Sequence, residues 1–231
     1  MLELFPEGFE EREAADGLEL AAYTDAAGEE RVWAAFGAAA SESVEAGWEE
    51  RWRDFHRPAW VGPLWIGPPW ERAEGPLAVT IEPGRAFGTG AHPTTRLSLE
   101  LLLELEPASL LDVGCGSGVL AVAAARLGFE PVVALDHDPA AVEAAKANAR
   151  ANGVQVDVHL GDALSEEVPP AAVTVANVTG DFVRRLAPRL RSGALIASGY
   201  LESDEPSLWG FARAERRTAQ GWAADLFRRE E

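Results

Sequence analysis

A glycine turn between an apolar strand and a helix constrains this chain more than any other feature. Residues 111–118 read LDVGCGSG, and the alanine-rich stretch 119–127 follows directly. Asp136 ends the next apolar run, about twenty residues after the turn. This order is typical of a sheet that holds a nucleotide-like ligand above the carboxyl ends of its strands. The alternative is a glycine turn that binds nothing.

Strand and helix patterns alternate from Asp112 onward, which predicts an α/β fold with a parallel sheet covered on both faces. The predicted strands are 109–113, 131–136, 154–160, 172–177 and 194–198. The predicted helices are 119–127, 139–152 and 181–190. Two more strands are predicted around Gln220-Gly221 within residues 211–228, a hairpin that gives the sheet an antiparallel edge.

The first 80 residues differ in kind from the rest. Residues 1–57 predict a small α+β module, with a strand at 18–24, a helix at 31–39 and an apolar helix face formed by Trp48, Trp52 and Phe55. Residues 58–80 predict a stiff, extended linker, because proline fixes φ and ends helices; the prolines are Pro58, Pro63, Pro68 and Pro69. Residues 81–231 remain as the ligand-binding domain.

Composition and charge exclude several classes of function. The formal net charge of −18 repels phosphate backbones and favours cationic partners, so we expect no surface that grips nucleic acid. The alternative is that the acidity serves solubility alone. Apolar stretches are interrupted before the length of a membrane span and no signal peptide is evident, which predicts a cytoplasmic protein without membrane contact. The single Cys115 and four scattered histidines predict neither a disulfide nor a metal site.

The spacing of the glycine turn selects among nucleotide-like ligands. Gly114, Gly116 and Gly118 are one residue tighter than the pattern that seats a pyrophosphate, so a nicotinamide oxidoreductase would need its third glycine one place later. Asp112 beside the turn would repel a pyrophosphate but would suit a ligand ammonium group. The turn and Asp112 therefore predict S-adenosylmethionine as the cofactor.

Two further carboxylates fit this cofactor. Asp136 at the end of the second strand is expected to accept hydrogen bonds from both ribose hydroxyls. Asp162, which follows the third strand, is expected to accept from the adenine amino group. Each assignment is weak alone, and their order along the chain strengthens them together.

A glycine-containing segment, residues 82–95, precedes the helix that leads into the first strand. Its glycines predict mobility, so Phe87, Gly88 and Thr89 are expected to fold over the cofactor. His92 is a candidate proton acceptor, with a purely structural hydrogen bond as the alternative. Thr94 and Thr95 are expected to cap the helix that follows.

Asn177 ends the fourth strand, where its amide would point into the ligand crevice. Its carbonyl could accept hydrogen bonds from an amine nucleophile, and the alternative is that it caps the next helix. Methyltransferases that modify a planar amide or base often carry Asn-Pro-Pro-aromatic here, and this chain has Val178 and Thr179 instead. An aliphatic amine is therefore the favoured methyl acceptor.

Together these segments resemble the ribosomal protein L11 methyltransferase (PrmA) family. The resemblance covers the chain from about Trp48 onward, and its most specific part is residues 87–95. It implies a Rossmann-like class I methyltransferase fold with seven strands, and cofactor contacts at Thr95, Gly114, Asp136 and Asn177. It also implies N-methylation of lysine side chains and of the N-terminal amine of a basic ribosomal protein, which agrees with the acidity of this chain.

The resemblance further implies a ferredoxin-like N-terminal module that docks the substrate. Met1 falls inside that module, so either the start was assigned late or residues 1–57 form a reduced version of it. The third residue of the Asn-Ile-Leu-Ala turn usual in the family is changed to Thr179. Two other functions share the cofactor residues: methylation of a small-molecule amine, and binding without catalysis.

Overall fold

The structure is a computed structural model that describes residues 10–14, 17–21, 32, 35–36, 57–83 and 90–230. The chain divides into two compact units, Met1–Trp52 and Arg53–Glu231. The helix face predicted from Trp48, Trp52 and Phe55 lies outside the described residues.

The first unit contains an antiparallel hairpin of strands β1 (Glu10–Ala14) and β2 (Gly17–Ala21). Ala14 pairs with Gly17 at the closed end of the hairpin. β2 overlaps the predicted strand 18–24, whereas β1 was not predicted, although Asp16-Gly17 is a common hairpin signal. Residues 32, 35 and 36 are helical, within the helix predicted at 31–39.

The predicted linker, residues 58–80, forms a three-stranded sheet instead of an extended connection. Strand β3 (Ala59–Val61) is antiparallel to β4 (Leu64–Gly67), and β4 is parallel to β5 (Ala78–Thr80). Leu64 and Val79 are fully buried in the main hydrophobic core. The prolines adjoin strand ends, where no ladder hydrogen bond is lost, so they delimit these strands without preventing them.

The second unit is built on a seven-stranded sheet, as predicted. Its strands are β6 (Leu110–Val113), β7 (Val132–Asp136), β8 (Asp157–Leu160), β9 (Val173–Asn177), β10 (Ala194–Leu201), β11 (Phe211–Ala219) and β12 (Trp222–Arg229). The spatial order is β11-β12-β10-β9-β6-β7-β8, and β12 runs antiparallel to both its neighbours. β6 to β10 are parallel, which places their carboxyl ends at one edge of the sheet.

Helices cover both faces of this sheet and create two hydrophobic clusters. They are α1 (Pro93–Leu102), α2 (Val119–Arg126), α3 (Pro139–Ala151) and α4 (Gly180–Leu186), the last continued by the 3-10 turn Ala187–Arg189. Side chains of α1, α2, α3 and the β3–β5 sheet share one cluster. Those of α4 share the other. In the described part of the chain, every helix is too short or too polar to cross a membrane.

Candidate functional site

A cavity of about 510 Å³ lies at the carboxyl ends of β6, β7 and β9. Six residues predicted from the sequence line it: Thr95, Gly114, Gly116, Asp136, Asp162 and Asn177. Phe87, Gly88 and Thr89 lie outside the described residues. The parallel sheet thus brings together most of the residues that the motifs singled out, because consecutive strands end at the same edge.

The glycine turn forms one wall of the cavity. The amides of Gly114 and Cys115 both donate to the Leu135 carbonyl, at 2.8 and 3.1 Å, which joins the turn to the end of β7. Gly114 has φ of +72°, and a Cβ there would lie 2.6 Å from Cγ1 of Val178. Only glycine fits this close approach, so the turn packs directly on the residue that follows Asn177.

Asp136 faces the turn across the cavity. Its Oδ2 accepts a hydrogen bond from the Gly116 amide at 2.9 Å, and its Oδ1 accepts from the Asp138 amide at 3.0 Å. The side chain is 8% exposed and therefore held in one orientation. A carboxylate offers about four acceptor positions, so two remain for ligand hydroxyls.

Asp112 does not line the cavity, contrary to the sequence prediction. β6 alternates its side chains, so Val113 faces the cavity while Asp112 points to the opposite face of the sheet. There Asp112 is buried, and its Oδ2 accepts from the Ala121 amide in α2 at 3.1 Å. The pKa of Asp112 is raised to about 7, chiefly by burial; the hydrogen bond from the Ala121 amide opposes this rise and the nearby charge of Asp136 adds to it. Its position makes Asp112 an anchor for α2.

Gly118 also lies outside the cavity lining and marks the start of α2. It is the N-cap residue, with φ of +79°. A Cβ on Gly118 would lie 2.9 Å from Cβ of Ala145 in α3. The glycine therefore lets α2 and α3 pack closely beneath the turn.

Asn177 and Thr95 meet at the end of β9. Nδ2 of Asn177 donates to Oγ1 of Thr95 at 3.4 Å, and Thr95 is fully buried in the first turn of α1. Oδ1 of Asn177 is buried and accepts no hydrogen bond from the described part of the chain. Thr179, not Asn177, caps α4, since its Oγ1 accepts from the Phe182 amide at 3.4 Å. Asn177 thus lines the cavity and carries a buried acceptor that no described residue uses.

His92 caps α1 in place of the predicted Thr94 and Thr95. Its Nδ1 accepts from the Thr94 amide at 3.3 Å and lies 2.7 Å from Oγ1 of Thr94. The ring makes an edge contact with Trp222, with 4.9 Å between centroids. Burial lowers the pKa of His92. His92 is not among the described residues that line the cavity. The structure therefore supports the alternative that His92 makes a purely structural hydrogen bond.

Asp162 lines the cavity beyond β8. Its Oδ1 accepts from the Leu164 amide and its Oδ2 from the Ser165 hydroxyl, both at 2.9 Å. These hydrogen bonds, the backbone one first, hold the pKa of Asp162 below its usual value. The carboxylate is therefore charged at neutral pH and keeps lone pairs for a ligand donor.

The apolar residues that line the cavity were not predicted from the sequence. Val113, Leu135, Ala163, Val178 and Phe182 lie along the cavity wall. Phe182 could have been anticipated, because it lies in the first turn of the helix that follows Asn177. Apolar walls beside the Asp136 carboxylate suit a nucleoside, whose base is flat and apolar on its faces and whose ribose donates hydrogen bonds.

In the described region, no three or more histidine, cysteine, aspartate or glutamate side chains form a group that could hold a metal ion. The buried Cys115 thiol also lines the cavity, and burial together with the Asp112 and Asp136 charges raises its pKa strongly. Cys115 therefore stays protonated and packs as a small apolar side chain.

Residues 9–229 match the family described as ribosomal protein L11 methyltransferase (PrmA). A protein of that name from Vibrio cholerae is 40% identical over 181 residues, which cover 72% of this chain and 60% of the relative. The namesake from Symbiobacterium thermophilum is 45% identical over 200 residues, covering 79% and 66%. The chain therefore matches about three fifths to two thirds of the length of these relatives. A crystal structure of ribosomal protein L11 methylase from Lactobacillus delbrueckii subsp. bulgaricus aligns with a TM-score of 0.66 at 28% identity, over 74% of this chain and 96% of that one.

Proposed function

The chain belongs to the ribosomal protein L11 methyltransferase family, and on that premise we propose that it transfers methyl groups from S-adenosylmethionine to amines of ribosomal protein L11. The observation that carries the proposal is the buried, unused Oδ1 acceptor of Asn177. An acceptor of this kind is costly to bury unless a ligand donor meets it. A substrate amine supplies such a donor.

Different residues bind different parts of the cofactor in this proposal. S-adenosylmethionine supplies an electrophilic methyl group on a sulfonium. Asp136 accepts hydrogen bonds from the ribose hydroxyls with the oxygen lone pairs that Gly116 and Asp138 leave unused. Asp162 accepts from the adenine amino group, and the turn at Gly114 and Gly116 contacts the methionine end. Residues 87–89 complete the cover in this proposal.

Asn177 orients the nucleophile. A lysine amine has an ordinary pKa of about 10.4, so it must lose a proton before it attacks the methyl group. The neutral amide oxygen of Asn177 accepts an N–H of the amine and directs the nitrogen lone pair toward the methyl carbon. Thr95 holds the amide in that orientation from the other side. The released proton passes to water, because His92 uses Nδ1 to cap α1.

The partner follows from charge and from the family. Curated relatives are named for ribosomal protein L11, and a chain with a net charge of −18 attracts a basic protein and repels nucleic acid. We assign residues 1–57 to substrate docking and the cytoplasm as the location. The acceptor groups in this proposal are lysine side chains and the N-terminal amine.

Intact mass spectrometry of ribosomal protein L11 tests the proposal directly. After incubation with enzyme and S-adenosylmethionine, the substrate should gain mass in increments of one methyl group. The matched pair of variants is Asn177→Ala and Ser198→Ala, because Ser198 pairs in register with Asn177 on β10 but is not a lining residue of the described cavity. Only Asn177→Ala should lose the increments.

Three outcomes would refute parts of the proposal. Methylation of small amines but not of the ribosomal protein would refute the substrate. Binding of cofactor and ribosomal protein without methyl transfer would refute the activity. Equal activity of both variants would refute the role of Asn177.

A further inference from the structure

Asn148 in α3 and Asn152, the C-cap residue of α3, form hydrogen bonds with the backbone of residues 80 and 82, at the end of β5 and just after it. Asn152 accepts from the Thr80 amide at 2.8 Å and donates to the Thr80 carbonyl at 2.7 Å. Asn148 accepts from the Glu82 amide at 3.0 Å. The two side chains lie one helical turn apart, and Nδ2 of Asn152 also donates to the Asn148 carbonyl at 2.8 Å. We name Asn148 and Asn152 the amide pair.

Asn148 differs from Asn152 in one respect that bears on the cavity. Its Nδ2 donates to the Ser117 carbonyl, inside the glycine turn, at 2.9 Å. It is 3% exposed, and Asn152 is 6% exposed. The buried Asn148 amide thus bonds on one side to the turn that lines the cavity and on the other to Glu82. The described partners of the Asn152 side chain are Thr80 and the Asn148 carbonyl.

We infer that Asn148 is a positioning residue that preorganises the glycine turn for the cofactor, an inference that rests on the function proposed above. The turn contains three glycines with positive φ, at Gly114, Gly116 and Gly118. Glycines of this kind gain the most conformational freedom when a restraint is removed, and that freedom must be lost again when a ligand binds. Asn148 supplies the restraint from below, at Ser117.

The restraint reaches the group that would bind the ribose. Ser117 adjoins Gly116, and the Gly116 amide donates to Oδ2 of Asp136. Holding the Ser117 carbonyl therefore restrains the turn two peptide units from the Gly116 amide that aligns Asp136. Asn148 does not line the cavity in the described part of the chain, so its effect passes through the turn alone.

The amide pair offers a matched test. Asn148→Asp keeps the acceptor for Glu82 but replaces the donor to Ser117 with a carboxylate oxygen. Asn152→Asp makes the same chemical change one helical turn away, where the lost donor faces Thr80. Both variants bury one unneeded carboxylate, so any general loss of stability should be similar.

Calorimetric titration with S-adenosylhomocysteine is the primary measurement. Asn148→Asp should raise the Kd about tenfold relative to wild type, and Asn152→Asp should change it by less than about twofold. In steady-state assays, Asn148→Asp should raise the KM for S-adenosylmethionine by a similar factor and leave kcat within about twofold, since a turn once ordered by ligand aligns the same atoms. A purely structural role would instead lower the active fraction and kcat in both variants alike.

Amide hydrogen exchange of the wild-type protein provides a second measurement that needs no variant. Saturating S-adenosylhomocysteine should slow exchange at the Glu82 amide by about fivefold, because ordering of the turn strengthens its link through Asn148. The Thr80 amide, bonded to Asn152, should change by less than about twofold. If Asn148→Asp does not fold, the comparison of these two amides still tests whether Asn148 positions the turn.

The outcomes separate this inference from the proposed function. Equal Kd for wild type and both variants, or equal exchange changes at both amides, would overturn the inference and leave the function standing. Failure of the wild-type protein to bind S-adenosylhomocysteine would overturn both.

Discussion

The buried carboxyl of Asp112 should make the protein less stable as pH rises through the neutral range. A raised pKa means that the folded state holds the proton more tightly than the unfolded chain, so this contribution is greatest at low pH. It is lost progressively between the ordinary pKa of 3.8 and the folded pKa of about 7. Each pH unit in that window is worth about 1.4 kcal/mol, which gives about 4 kcal/mol in all and about 3 kcal/mol between pH 5 and pH 8.

Asp112→Asn isolates this contribution. The amide oxygen can still accept from the Ala121 amide, and the variant has no carboxyl to ionise. Urea unfolding of wild type and variant should therefore show that the stability of Asp112→Asn relative to wild type increases by about 3 kcal/mol from pH 5 to pH 8. Asp181→Asn, at a side chain that is 89% exposed, is the control and should shift by less than about 0.5 kcal/mol. A difference between wild type and Asp112→Asn that stays constant across this range would show that Asp112 does not titrate there, and would refute the reasoning.

Three further predictions concern the cavity and the turn. Asn177→Ala should lower kcat about 100-fold while the free energy of unfolding changes by less than about 1 kcal/mol, because among the described residues its side chain loses only the long 3.4 Å hydrogen bond from Nδ2 to Thr95; a large loss of stability would contradict this. Gly118→Ala should cost about 3 kcal/mol in urea unfolding, through positive φ and the clash with Ala145, and Gly153→Ala, with positive φ but open space, about 1 kcal/mol. Equal costs would refute the packing argument. Asp136→Ala should abolish S-adenosylmethionine binding in calorimetry, and unchanged affinity would contradict the assignment of the cofactor site.

The sheet and most of the cavity could be predicted because the apolar runs and the residues that end them indicate the same strands. Apolar runs end at Asp136 and Asn177, and both residues terminate strands that share an edge. In a parallel sheet this shared edge brings their side chains together without any knowledge of packing. Gly114 and Thr95 were predicted as cofactor contacts from the motifs that contain them, and both line the cavity.

The remaining assignments depended on information that a sequence does not carry. Both faces of β6 are buried, so nothing in the sequence pattern shows that Val113 faces the cavity and Asp112 faces α2. Histidine is an uncommon N-cap, and the threonines after it are better capping residues by type, which made His92 look chemical instead of structural. Asn148 was missed because its partners, Glu82 and Ser117, are distant in sequence.

The position of β12 has a consequence for synthesis of the chain. β12 follows every other described element in sequence, yet it lies between β10 and β11 and is hydrogen-bonded to both of them. Its first residue, Trp222, contacts His92, the cap of the helix that carries Thr95. A nascent chain still missing residues 222–229 would expose the edge of β10 and leave that cap unsupported. The domain therefore completes its sheet, and the support of that cap, only when this segment has left the ribosome.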